Sequence, residues 1–125
     1  MANTAAKSQR GRDRETDVRD ALEHAGWKAF RTASGPVDVV ALCTEGATHP
    51  VYGTPHFGPF WSPLLIQVKS TRKSPYERFG PSDRQDLIST AKSIRAEAWL
   101  VWWPPAKKPQ WIAVHEWPGA KNEAT

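Results

Sequence analysis

Hydrophobic residues recur first at helical spacing and then at strand spacing. Glu15, Val18, Leu22 and Ala25 fall three or four residues apart, along one helix face. A helix is therefore predicted from about Gly11 to Ala25, with Gly26 as the left-handed residue that ends it. The carboxylate of Glu15, lying on that apolar line, faces inward. WKAFRT (27–32) and VDVVALC (37–43) read as two short strands joined by the turn ASGP, with Asp38 near the start of the second. LLIQVKS (64–70) is apolar on both faces until Gln67, the pattern of a central strand covered on both sides. Ser82 followed by Gln85 reads as a capping box opening a second helix, whose apolar positions are Leu87, Ile88, Ala91, Ile94 and Ala98. AWLVWW, stopped by Pro104 and Pro105, and WIAVHEW supply two further strands.

The order helix, three strands, helix, strand, strand predicts an α/β fold with a mixed central sheet flanked by helices. A chain of 125 residues holds one core and not two, so residues 11–117 are expected to form a single domain. The polar, basic segment 1–10 reads as a flexible arm, and 118–125 as a frayed tail. Residues 44–63 are rich in proline and glycine, which points to a long loop or irregular hairpin inserted in the domain. Its aromatics Tyr52, Phe57, Phe60 and Trp61 can serve a DNA-contacting flap, a dimer surface or a partner site, or pack down on the domain.

Charge narrows the class of partner. Lysine and arginine number 17 against 13 acids, for a formal net charge of +4. The positive residues cluster at Lys7, Arg10, Arg12 and Arg14, and again at Lys69, Arg72, Lys73, Arg78 and Arg84. Nucleic acid is the expected partner, with Lys7, Arg10, Arg12, Arg14, Arg72 and Lys73 as phosphate contacts, although such charge also serves as plain solvated surface. The single cysteine, Cys43, excludes an internal disulfide and a cysteine-based zinc site and suits an intracellular, cytoplasmic protein. No apolar stretch is long enough to span a bilayer, and the first residues lack the apolar core of a secretory signal, so no membrane role is expected. His24, His49, His56 and His115 lack metal-ligand spacing and read as structural or exposed. Trp99, Trp102, Trp103, Trp111 and Trp117 suit core packing or a dimer interface, with base stacking as the alternative.

The candidate chemistry lies in Asp38, Gln67 and Lys69. Alternate residues of a strand share a face, so Gln67 and Lys69 point the same way, where they can meet Asp38 from a neighbouring strand. Phosphodiester hydrolysis needs an activated water and neutralisation of the charge that grows on the phosphate, and Mg2+ can do both. Asp38 and Glu15 offer carboxylates, Gln67 an amide oxygen and Val68 its carbonyl, all hard oxygen donors suited to that ion. Lys69 would stand beside the metal to position water or stabilise the transition state. Glu15 has an alternative role as the ion-pair partner of a structural arginine such as Arg31.

These residues sit in a longer pattern. RGRDRETDVRDALEHAGWKAFRTASGPVDVVAL, LLIQVKSTR, SDRQDLISTAKSI and AWLVW together resemble the archaeal-type (Hjc-like) Holliday junction resolvases, a branch of the PD-(D/E)XK nucleases, over about residues 10–115. The resemblance implies a restriction-endonuclease-like fold. It aligns Glu15 with the family's helix-borne acid, Asp38 with its central metal ligand, Gln67 with the acid of the E-X-K triplet and Lys69 with the catalytic lysine. It also aligns Ser34 with a serine that shapes the site, and Gln85 with a glutamine that supports it. The implied protein is a homodimer that binds four-way junctions in branched DNA and cuts two strands symmetrically with Mg2+, Mn2+ substituting. Two departures stand out: Gln67 replaces a glutamate and removes one negative charge from the metal site, and the interval from Asp38 to Gln67 is longer than the family's usual hairpin. The catalytic set does not encode substrate shape, so a nuclease acting on duplex, flaps or ends is a second reading, and a non-catalytic DNA-binding module on the same fold is a third.

Overall fold

Along the computed structural model the elements run α1 (Ala2–His24), β1 (Lys28–Arg31), β2 (Val39–Leu42), β3 (Leu64–Ser70), α2 (Pro75–Arg78), α3 (Pro81–Ser93), β4 (Glu97–Trp103) and β5 (Gln110–Ala113). The described residues are 2–33, 35–53, 62–72, 74–105 and 107–114. The strands form one sheet in the order β1-β2-β3-β4-β5. Three neighbouring pairs are antiparallel, and β3 and β4 are parallel. Parallel strands need a crossover, and α2 and α3 provide it.

β3 is central, as its apolar run predicts. Leu64, Ile66 and Val68 pack with Val18 and Leu22 of α1, whereas Leu65 packs with Leu87 and Ala91 of α3. Each large aliphatic side chain so buried contributes about 1.5–3 kcal/mol. Val18 and Leu22 hold α1 on the sheet, and Ala25 packs at the edge of the same core. α1 begins at Ala2 and not near Gly11, because residues 2–10 contain no helix breaker and extend the helix N-terminally. At its other end Gly26 has φ +97°, and a Cβ there would meet the Ala47 Cα at 3.0 Å. Only glycine fits this combination of conformation and close approach.

α3 departs from the predicted capping box. Gly80 is its N-cap and Pro81 opens the helix, with no side-chain cap hydrogen bond. Ser82 therefore lies inside the first turn, and Gln85 donates instead to Ser89 Oγ at 3.2 Å. A proline at the first helical position replaces the cap, since its missing N–H is one that would have no helical partner. The single turn α2 lies in the stretch between β3 and α3 that carries most of the second basic cluster.

The start of the 44–63 segment is tied to the domain. Thr48 N–H donates to the Ala25 carbonyl at 2.8 Å, and the Thr44 hydroxyl bonds the Gly26 carbonyl. His49 is 1% exposed. Its Nδ1 accepts the N–H groups of Val51 and Tyr52, while Nε2 lies 3.1 Å from Glu97 Oε1. Two donors on Nδ1 leave the proton on Nε2, which donates to the carboxylate. Tyr52 stacks on the imidazole at 4.1 Å, and Trp99 donates its indole N–H to the same Glu97 oxygen. Phe57, Phe60 and Trp61 lie outside the described residues, as do His56, His115 and Trp117.

Candidate active site

The β2–β3 ladder runs from the pair Ala41–Leu64 to the pair Val39–Ile66, and Asp38 ties the strands just beyond it. Its N–H donates to the Ile66 carbonyl at 2.8 Å, and its Oδ2 accepts the Val68 N–H at 2.8 Å. The two bonds bracket Gln67. Val37 belongs to the core under α3 and Val39 to the core under α1, so strand alternation breaks between them. The turn before Asp38 is held by Thr32, whose N–H donates to the Asp38 carbonyl and whose hydroxyl bonds the Val37 carbonyl. A carboxylate that bonds a strand N–H lies near the plane of the sheet, where groups from both faces can reach it.

Glu15 comes from the α1 face. Its side chain is 20% exposed, and Arg31 Nε stands 3.8 Å from Oε1, an ion pair too long for a hydrogen bond. The alternative pairing foreseen for Glu15 is thus present. Gln67 and Lys69 are half-buried on β3 and share strand parity with Leu65. Burial pushes the Asp38 carboxyl up, against the opposing pull of the Val68 N–H and the Lys69 ammonium. Burial also pushes Glu15 up, reinforced by the negative charge of Asp38 and opposed by Arg31, Arg12 and Lys69. Two carboxylates that repel each other through partly desolvated space favour any cation that enters between them.

The donor chemistry fits a hard divalent metal. Asp38 and Glu15 would be the carboxylates, and the Gln67 amide oxygen and the Val68 carbonyl the neutral donors. Among the described residues no group of three His, Cys, Asp or Glu comes together that could hold a metal, so those neutral oxygens would have to complete the set.

The remaining predicted residues divide. Arg12, Arg14 and Arg72 lie near this end of the sheet: Arg12 acts on the Glu15 carboxyl, while Arg14 and Arg72 line a cavity of about 710 Å3 together with Lys69. Arg84 is 4% exposed and bonds the Phe79 carbonyl, so it belongs to the interior under α3 and not to the basic surface. Gln85 is exposed on α3. Ser34 and Lys73 lie outside the described residues, and of Lys7 and Arg10 only the helical backbone is described. Arg78 and Trp103 also line the cavity. The sequence shows Arg78 only as one of a basic cluster and Trp103 as one of several strand tryptophans, and nothing local marks them as neighbours.

No family model and none of the curated proteins matches the chain in sequence. Solved structures do match. One is Hjc, a Holliday junction resolvase from the archaeal hyperthermophile Archaeoglobus fulgidus, with a TM-score of 0.60 and 23% identity over 85% of this chain and 74% of that one. The fold is that of Hjc. The mixed five-stranded sheet with flanking helices, read first from the hydrophobic pattern, agrees with it, and Hjc is an archaeal resolvase of the kind the sequence motifs resemble. No described helix is long and apolar enough to cross a membrane.

Proposed function

We propose that this chain is a metal-dependent endonuclease acting on branched DNA, with the four-way junction as its substrate. The carrying observation is that Asp38, tied between Ile66 and Val68, shares its electrostatic environment with Glu15 and Lys69. The fold shared with a Holliday junction resolvase supports the choice of substrate. Glu15, Asp38, Gln67 and the Val68 carbonyl would hold Mg2+, or Mn2+ in its place. The ion, when bound, supplies a Lewis acid and lowers the pKa of its water.

The protein's own groups do the rest. Asp38 is fixed by its Val68 hydrogen bond, so its second oxygen is held in place before substrate arrives. Lys69 brings a positive charge to the phosphate as negative charge grows on it. Arg12, Arg14 and Arg72 neutralise flanking phosphates, with Lys7, Arg10 and Lys73 proposed from the sequence as further contacts. Ser34 would shape the turn before Asp38, and Gln85 would support the site from α3. Symmetric cutting of two strands calls for a homodimer, each copy supplying one site.

Gln67 favours a second reading. With an amide at that position the carboxylates are two, and a basic module that binds DNA without cutting it becomes the competitor. Labelled four-way junction, flap and linear duplex, incubated with wild type and Lys69→Ala in Mg2+, Mn2+ or EDTA, separate the readings. Paired symmetric cuts in the junction, abolished by EDTA and by Lys69→Ala, are expected. Cutting of duplex or flap equally well would replace the substrate, and tight metal-independent binding without cuts would leave the module.

A further inference from the structure

The cavity beside Lys69 has a composition of its own. Arg14, Lys69, Arg72 and Arg78 line it together with Trp103 and Pro104, and no carboxylate is among its described lining residues. It is continuous with the candidate site, because Lys69 faces it and also acts on the Asp38 and Glu15 carboxyls. Its volume, about 710 Å3, is that of a pocket for one small molecule or a nucleotide or two, not of a groove for a double helix.

Arg14 is held there by two contacts. Its Cζ stands 4.4 Å from the centre of the Trp103 ring, and Nη1 lies 3.3 Å from Asp17 Oδ2. A guanidinium held over an indole at the wall of a cavity can take a base by stacking or a phosphate by hydrogen bonds. Arg72 and Arg78, both exposed, reach the same space from the β3–α2 segment. Cations clustered around an aromatic ring are the arrangement that binds single strands with little regard to sequence.

We infer that this cleft binds an unpaired stretch of one DNA strand beside the phosphate at the Asp38–Lys69 site, with Trp103 as the positioning residue for Arg14. The inference rests on the nuclease reading for its place beside a scissile phosphate. A strand enters the cleft only when parted from its complement, so the cleft favours a branch point, where the terminal pairs of the arms can open, over continuous duplex. Trp103 Nε1 is buried and has no hydrogen-bond partner among the described residues, and its contact with Arg14 is made by the ring.

The test is fluorescence anisotropy in EDTA, where no cutting can occur, using labelled oligothymidylate and blunt duplex over a salt series. Arg78→Ala is expected to weaken oligothymidylate binding about tenfold and lower the salt slope by about 0.7, with a smaller effect on duplex. Arg19→Ala removes the same charge from an exposed residue outside the cleft, paired with Asp20, and should leave both unchanged. Trp103→Leu should weaken binding as Arg14→Ala does, and the double variant should be no weaker than either alone. Trp103→Phe keeps a ring under Arg14 and should bind as wild type. Equal losses for Arg78→Ala and Arg19→Ala, equal losses on duplex and single strand, or additive losses for Arg14→Ala and Trp103→Leu would each overturn the inference. Because the assay excludes chemistry, a strand-binding cleft in a protein that never cuts would end the nuclease reading alone, and junction cutting unaffected by Arg78→Ala would end the cleft alone.

Discussion

The Asp38 carboxylate accepts the backbone N–H of Val68 at 2.8 Å, so a side chain replaces the ladder bond at the point where β2 parts from β3. The same residue donates its own N–H to Ile66, and Gln67 is held between the two bonds. Structure and site thus share one residue, and its charge is costly to the fold. Burial raises the Asp38 carboxyl, and burial together with Asp38 raises Glu15.

An acid whose folded pKa is raised binds more protons folded than unfolded across the window between the two values. Stability is therefore lost as pH rises from the ordinary Asp and Glu values, 3.8 and 4.5, through the raised ones, and the loss persists above them. Asp38→Asn keeps an oxygen for the Val68 N–H and removes the charge. In EDTA it should be more stable than wild type at neutral pH, and the difference should vanish below pH 3.8. Urea denaturation across pH measures this. Mn2+ should raise the wild-type midpoint and leave that of Asp38→Asn unmoved, because only a folded site that binds the ion is stabilised by it.

Gln67→Glu restores the third carboxylate. Calorimetric titration should show Mn2+ binding tightened about tenfold or more, since each added ligand charge deepens the site for a hard cation. Without metal the variant should be less stable than wild type, because a third negative charge joins two that already repel.

Arg31 stands 3.8 Å from Glu15 and holds its carboxyl lower than burial and Asp38 would leave it. Arg31→Ala should therefore move the Glu15 titration to higher pH, read directly by carboxyl carbon NMR. Arg31→Lys should restore part of the shift, and a titration unchanged in Arg31→Ala would show that the pair carries no electrostatic weight.

His49 joins the 44–63 segment to β4 through Glu97. His49→Ala removes a buried ring, strands two N–H groups and leaves Glu97 to Trp99 alone. A loss of about 3 kcal/mol is expected from urea denaturation with an unchanged m value. Junction binding should survive it, since His49 is not among the described residues that line the cleft.

Much of this was legible along the chain because it depends on local periodicity. The inward line Glu15, Val18, Leu22 and the two-sided burial of Leu64–Val68 follow from helix and strand repeats, and both appear as read. The α3 start was misread because Ser82 and Gln85 satisfy a cap pattern that Pro81, one residue earlier, makes unnecessary. By itself the sequence determined the order of the five strands and the two long helices, which faces are apolar, and that Asp38, Gln67 and Lys69 stand where strands can bring them together. Only the tertiary structure decided that Asp38 bonds across to Val68, that Arg31 shares Glu15, that His49 meets Glu97 and that Arg14 lies on Trp103. The physical reason is separation: each pair joins residues from different elements, and chain spacing sets which way a side chain faces on its own element but not which element will stand opposite.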